Sequence, residues 1–377
     1  MAFTGRATYS NPTAIAEDVS DIITMISPFE TPLLDYLGDS VRPATNVLHE
    51  WLEESLAPPS IINSTAITSD TANTTFRING TGDSIQTGDL LRITGNSSLT
   101  YEEVMQVTAT ATNSITVLRG VGSVGPSSLA PGGTVELISN ATIEGADVSG
   151  DISQNRTRNY NWVQIYRKSV EVSDTEQAVS QLGDISNEYD HQLRNRTREI
   201  LRDLEKNLIL GVDAGNSFAS ASTYRTMKGI WRYITTNQQS AATFSESFLN
   251  AVVIKSAWDN GAQDLDFIVA DANLKREIDN LADSRIRQTM DDETYKSEIT
   301  LYESSYGRQQ ILPPNRWMPT NSLMVLASDR INVLPLDGMS FQQKPLATTG
   351  LATNGVVFGE YTAEVRNESG LARANLT

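Results

Sequence analysis

Two histidines, His49 and His191, are the whole supply of imidazole in this chain, and cysteine is absent. Nucleophile–base catalysis and thiolate metal chemistry therefore have little to draw on. His49 stands beside Glu50 and Trp51 in a strand-like stretch, where a structural role is expected. His191 lies in a charged helical stretch, where solvation or an ion pair is expected. Asp264 and Asp266 in "DLDFIVADANLK" resemble paired carboxylates for acid–base work, but Asp264 precedes a strand and Asp271 occupies a helix-cap position. "DDETY" at residues 291 to 295 lacks the ligand spacing of a calcium loop. No Walker or dinucleotide-type glycine loop is present, since "VGSVGPS" lies among β-type residues and not between a strand and a helix. A G-x-S-x-G nucleophile elbow is also missing. The residues thus point away from an enzyme, and no cofactor or metal is expected.

The remaining composition narrows the function further. A formal net charge of −17 over 377 residues argues against a dedicated nucleic-acid binder, which would cluster Lys and Arg to displace counterions. The N-terminus, "MAFTGRATYSNPTAIAEDVSDIITM", has no basic region followed by a continuous apolar stretch, and nowhere do about eighteen apolar residues run together. The protein is expected to be soluble and made in the cytosol, without a membrane span. Its length allows two or three domains with an ample core.

Six segments follow from periodicity and punctuation. Residues 1 to 45 combine short helical patches with proline turns, as in "MISPFETPLLDYLGD", and read as an arm. Residues 46 to 63 and 143 to 173 carry strands; in "NYNWVQIYRKSVEVSD", Trp162, Gln164 and Tyr166 alternate with Val163, Ile165 and Arg167 as one long strand. Between them, residues 64 to 142 are rich in Thr, Ser, Asn and Gly. They give four or five short strands with turns at Gly80, Gly95, Asn113-Ser114 and Gly132-Gly133, an all-β insertion. From Asp174 the period becomes 3.6, with Leu182, Ile185, Tyr189, Leu193, Thr197, Ile200, Leu204 and Leu208 on one stripe and Asp184 as a possible cap. Residues 225 to 345 alternate helix and strand. The closing stretch "VVFGEYTAEVRNESGLARANLT" reads as one strand running almost to the last residue, with Val357, Tyr361, Ala363 and Val365 on one face.

This order of parts, and the wording of several of them, resembles the tailed-phage major capsid proteins of the Hong Kong 97 (HK-97) fold. The similar segments are "SPFETPLLDYLGD", "NVLHEWLEESL", "PPNRWMPTNSLMVLASDRINVLPL" and "PLATTGLATNGVVFGEYTAEVRN". "TGDLLRITG", "EEVMQVTATATNSITVLRG" and "LAPGG" are similar to a small β module of phage virion proteins.

The resemblance implies an α+β fold made of an N-terminal arm (1–45), an extended loop with its base strands (46–63 and 143–173) and an all-β insertion (64–142). A peripheral domain with a spine helix and a returning C-terminal strand (174–224 and 346–377) and an axial domain (225–345) complete it. It implies an icosahedral shell of pentamers and hexamers enclosing double-stranded DNA that is held weakly. A separate scaffolding protein, a portal and a decoration protein are the implied partners. Because Met1 opens the chain and only a short arm precedes Pro28, no cleaved fused scaffold is expected. Some shells of this fold are welded by a Lys–Asn isopeptide bond from the extended loop. Here residues 43 to 167 contain no lysine, so a non-crosslinked shell is expected, reinforced by the insertion. Candidates for assembly or folding are Phe29, Leu34, Tyr36, Trp51, Trp162, Tyr166, Tyr189, Leu193, Leu204, Trp317, Tyr361 and Val365. Tyr361 and Val365 are expected to face the spine helix or the core. The alternative is a decoration or adhesive, receptor-binding virion protein with the β module as its head.

Overall fold

The computed structural model describes residues 30–72, 74–79, 84–93, 103–122, 124–145, 151–179, 187–213, 224–262, 264–283, 300–348 and 350–377. The chain divides into two compact units. One holds the residues up to Trp51 and from Asn159 onward, the other Leu52–Arg158.

The chain enters through a short helix, α1 (Pro32–Leu37), and strand β1 (Leu48–Glu53). The second unit then follows. Its strands β2 (Ser60–Asn63), β3 (Thr75–Asn79), β4 (Asp89–Ile93), β5 (Val104–Ala111), β6 (Ser114–Leu118) and β7 (Thr134–Asn140) close into a barrel in the order β2-β3-β6-β5-β4-β7. Strand alternation fills its interior: Phe76 and Ile78, Leu91 and Ile93, Met105 and Val107, Ile115 and Val117 all point inward. Two expectations are corrected here. Ser60–Asn63 belongs to the barrel and not to the loop before it, because β2 pairs with both β3 and β7 and so removes the sheet edges. The β5–β6 turn is Thr112-Asn113, with Ser114 already in β6. Gly80 and Gly95 lie outside the described residues.

The first unit resumes with β8 (Thr157–Trp162), which pairs with β1, and β9 (Gln164–Ser173). These were expected to be one strand. They separate at Val163, whose N–H goes to Val47 O while its side chain is buried with Ala44 and Leu334. After α2 (Asp174–Ala178) comes the long helix α3 (Glu188–Leu210), about 34 Å at 1.5 Å per residue. Asn187 is its cap, accepting from Tyr189 N and Asp190 N at 3.0 and 3.4 Å; it takes the role assigned to Asp184, which lies outside the described residues. Leu193, Ile200, Leu204, Leu208 and Ile209 form the buried stripe.

Beyond α4 (Ile230–Tyr233) and β10 (Gln238–Ala241), a π-helical turn (Phe248–Ile254) runs into α5 (Lys255–Asp259). Next come β11 (Phe267–Ala270), α6 (Ala272–Asp283), β12 (Leu301–Ser304), β13 (Gly307–Ile311), β14 (Ser322–Leu326), β15 (Ile331–Pro335) and β16 (Gln342–Pro345). The chain ends in β17 (Ala352–Val365) and β18 (Ala372–Leu376). Six strands form one sheet, β10-β18-β14-β11-β13-β12. β11 and β14 are buried throughout, and apolar apart from Ser322, because both faces of this sheet are covered. Phe267, Val269, Met324 and Leu326 share a core with α1 and α3, whereas Ile268, Leu323 and Val325 pack under Leu249, Val253, Leu274 and Ile278.

The C-terminal stretch is two strands, not one. β17 pairs with β9 from Ala352↔Ser173 to Tyr361↔Gln164, and with β16 and β15 on its other edge. Asn367 then adopts a left-handed conformation (φ 46°) that turns the chain through Glu368–Gly370. β18 lies between β10 and β14 in the other sheet. Strand pairing therefore crosses the boundary placed at residue 345: β15 and β16 join β17, while β18 joins the sheet of the preceding segment.

Candidate assembly site at the arm and spine helix

The described arm begins at Glu30 and is docked on α3 by a glutamate. α1 starts with Thr31 and Pro32, and the Thr31 side chain makes no cap bond to the helix backbone. Proline at the first turn wastes no N–H, but the next two amides need acceptors. Glu205, fully buried on the apolar stripe of α3, supplies them. Its two oxygens accept from Leu33 N at 3.0 Å and Leu34 N at 2.8 Å, and Asn315 Nδ2 donates a third bond at 2.6 Å. Burial pushes the Glu205 carboxyl above its usual range, and the three donors offset only part of that. Leu33 and Leu34 sit in the core beside it, so a short helix that would not form alone is held by a capping carboxylate from another element.

Further polar links tie the strands to this core. Tyr361 donates to Asp39 Oδ2 at 3.1 Å and stacks on Phe341 at 4.6 Å. Asn161, 1% exposed, bridges β8, β17 and the segment before α4: Nδ2 donates to Ala363 O and Lys228 O, and Oδ1 accepts from Trp162 N and Lys228 N. Asn207 Nδ2 divides between Gln164 Oε1 and Tyr166 Oη; burial raises the Tyr166 phenol well above its ordinary value. His49 Nε2 lies 3.1 Å from Glu364 Oε2, and Arg366 bonds the other oxygen. Burial opposes ionisation of Glu364, but the bonds from His49 and Arg366 outweigh it and hold the carboxyl below its usual range. In the barrel, Arg119 and Glu103 form a buried two-bond pair at 2.7 Å. Glu103 also accepts from Gly120 N and Ser127 N, and Arg119 donates to Thr68 O and Ser127 O. This pair fastens the irregular segment after β6 onto the barrel.

The residues singled out from the sequence fall mostly into one core. Leu34, Trp51, Tyr166, Leu193, Leu204, Tyr361 and Val365 are mutually packed, with Tyr36, Tyr189 and Trp317 against them. Tyr36 leans on Phe267 and Trp51 on Tyr233. Tyr189 covers Gly355 of β17 so closely that a Cβ there would lie 1.9 Å from its hydroxyl. Trp162 is buried outside that cluster. Phe29 lies outside the described residues. Glu205, Asn161, Glu364 and the Arg119–Glu103 pair were not picked out from sequence. For Glu205 a signal existed: a carboxylate between Leu204 and Leu208 on an apolar stripe. His191 contacts Asn195 at 3.2 Å. Among the described residues, no cluster of His, Asp and Glu could hold a metal, and no helix is long and apolar enough to cross a membrane. The buried polar groups act as fasteners that hold the arm, spine helix and strands in register.

A family model described as SU10 major capsid protein matches residues 3–377. The chain belongs to the SU10 major capsid protein family. Among solved structures, a chain from Mycobacterium phage Bobi is similar, with 10% identity and a TM-score of 0.50, covering 98% of each chain. One from Mycobacterium phage Adephagia gives 9% and 0.50 over 99% of each. The capsid of the native GTA particle gives 9% and 0.50 over 100% of each. At these identities the likeness concerns the fold, which is the HK-97 capsid fold. No curated protein matches the chain. This SU10-family member is therefore a shell-forming major capsid protein of a tailed phage, a structural protein and not an enzyme, located in the virion capsid. Membership in the family displaces the decoration or adhesive reading.

Proposed function

We propose that this capsid protein builds an icosahedral shell from pentamers and hexamers of itself, without covalent crosslinks, around packaged double-stranded DNA. The family match over residues 3–377 carries this reading. The net charge of −17 supports weak contact with the packaged phosphates. Synthesis in the host cytoplasm, a separate scaffolding protein, a portal and a decoration protein complete the proposal. Arm, extended loop, peripheral and axial parts follow the sequence boundaries, except that β2 goes with the insertion, β15 and β16 with the sheet of β17, and β18 with the axial sheet.

Absence of a weld is supported by Lys168, the one lysine near the loop base, which is engaged with Asp203 of α3 at 2.9 Å. A covalent ladder on denaturing gels of mature particles would contradict it. The barrel is proposed as the reinforcing contact between subunits. Removing residues 60 to 140 with a short linker takes out the whole barrel, whose first and last strands, β2 and β7, pair side by side from Ser60↔Glu136 to Ile62↔Thr134. The subunit should still fold while particles fail to form or fall apart; equally stable particles would refute the contact role. The overall reading is tested by electron microscopy and light scattering of the protein expressed alone and beside the products of its neighbouring genes. Closed uniform shells or pentamer and hexamer rings are expected, whereas monomers or trimers in both settings would overturn it.

A further inference from the structure

Helix α3 and strand β9 run side by side in opposite directions, which gives this part of the molecule two unlike ends. Tyr189, in the first turn of α3, closes over Gly355 of β17, whose strand partner on β9 is Val170. Further along the helix, Asp203 meets Lys168 at 2.9 Å and Asn207 reaches Gln164 and Tyr166. One end of β9 therefore lies at the start of α3 and the other near its finish. Tyr189 and Lys206 mark the two ends and stand about 26 Å apart at 1.5 Å per residue.

The two ends carry opposite charge. Where β9 begins, an open groove of about 690 Å³ is lined by Arg167, Lys168, Lys206 and Arg316 against a single carboxylate, Asp203. Along it, Ile165, Leu210 and Val212 are 39% to 50% exposed. In a chain of net charge −17 such a basic surface stands out. At the far end, residues 169–179, 187–190 and 346–354 hold Glu171, Asp174, Glu176, Glu188 and Asp190 and neither Lys nor Arg. These stretches meet in space: Ala352 pairs with Ser173, Asp174 N bonds Leu351 O at 3.1 Å, and Leu346 N bonds Asn354 O at 2.9 Å. Apolar side chains are open here too, with Val179 at 57% and Leu351 at 80% exposure.

We propose that the acidic end of one copy docks in the basic groove of a second copy, with Glu171, Asp174 and Glu176 meeting Arg167, Lys206 and Arg316. Val179 and Leu351 then cover the apolar side chains of the groove. Opposite charges beside apolar surface fit the two ends to each other, and like charges disfavour pairing either end with itself. The contact is head-to-tail, so every copy keeps a groove for the next, and a fixed rotation closes the series into a ring. It rests on the reading that copies of this chain build a shell and adds which surfaces meet.

A carbodiimide, which joins a carboxylate to a lysine amine as an amide with loss of water, tests it on assemblies of the full chain, with crosslinked peptides read by mass spectrometry. The Lys168–Asp203 pair is an internal positive control. Links from Lys206 to Asp174 or Glu176 are expected. Inside one subunit most of the length of α3 separates those groups, so such a link joins two copies. Coupling of Lys168 to Asp203 without any link from Lys206 to the acidic end overturns the proposal. Electron microscopy of the same sample reports on the shell separately, and the links are read in whichever assembly forms, so shells that lack them refute the contact and leave the shell standing. In parallel, Arg167→Glu with Lys206→Glu should lower particle yield about tenfold. Glu171→Lys, Asp174→Lys and Glu176→Lys added to the same chain should restore it, because the exchanged charges are again opposite. A yield indifferent to the first pair of changes also overturns the proposal.

Discussion

Replacing Glu205 by alanine should release α1 from the spine helix. The carboxyl receives Leu33 N–H, Leu34 N–H and the Asn315 amide, and a bond to a charged acceptor contributes about 1.5–3 kcal/mol. Water entering the space left by the side chain restores part of this, and loss of a desolvated carboxyl returns another part. The remaining deficit is about 3–5 kcal/mol, the usual effect of removing one partner from a buried charged cluster. The six residues of α1, whose Thr31 side chain supplies no cap bond, cannot absorb such a loss on their own. At a factor of ten per 1.4 kcal/mol, amide exchange in the peptide spanning residues 30 to 38 should accelerate by about two to three and a half orders of magnitude. Glu205→Gln keeps an acceptor for some of the donors but sets an NH₂ against another, so about tenfold acceleration is expected. Hydrogen exchange read by mass spectrometry decides the matter, with peptides of the six-stranded sheet as internal reference. If the alanine variant exchanges within threefold of the parent, or the glutamine variant exchanges faster than the alanine one, Glu205 is not what caps and docks α1.

Arg119→Met should strand the Glu103 carboxylate inside the barrel unit and cost about 3–5 kcal/mol, seen as a lower melting transition in calorimetry; adding Glu103→Gln should recover part of it, and an unshifted transition would contradict the fastening role. Acid sensitivity should come from Glu364, Glu103 and Glu368, whose pKa values lie below their usual range because hydrogen bonds outweigh burial. Their stabilisation is present above the unfolded value of about 4.3 and is lost as pH falls through the folded values. His49→Gln should therefore raise the pH of the acid transition followed by tryptophan fluorescence. Glu205 has the opposite sign: its raised pKa makes its contribution fullest below about 4.3 and smaller as pH rises through the folded value, so Glu205→Gln should flatten that slope. Gly355→Ala places a methyl on the Tyr189 hydroxyl and should destabilise by about 1–3 kcal/mol. Tyr189→Ala in the same chain should cancel much of that, and additive losses in a double-mutant cycle would show that the two do not touch.

The sequence alone determined what periodicity and composition can encode. Absence of cysteine and scarcity of histidine limited the chemistry, the 3.6-residue stripe gave α3, and the change to short alternating strands marked an all-β insertion. The order of these parts, with the wording of several segments, was enough to resemble a capsid protein, because local pattern and segment order survive in a single chain. Tertiary structure decided which strand joins which sheet. A four-residue strand such as Ser60–Asn63 has too few alternations to announce that it closes a barrel, and a break at Val163 or Asn367 is invisible to a period of two that continues across it. The far ends of polar fasteners were equally illegible. Glu205 meets Leu33 at a separation of 172 residues and Asn161 meets Ala363 at 202. The apolar stripe around Glu205 hints at burial, but nothing local names the partner of a buried carboxylate or amide; only the packing that removes water from it makes the partner obligatory.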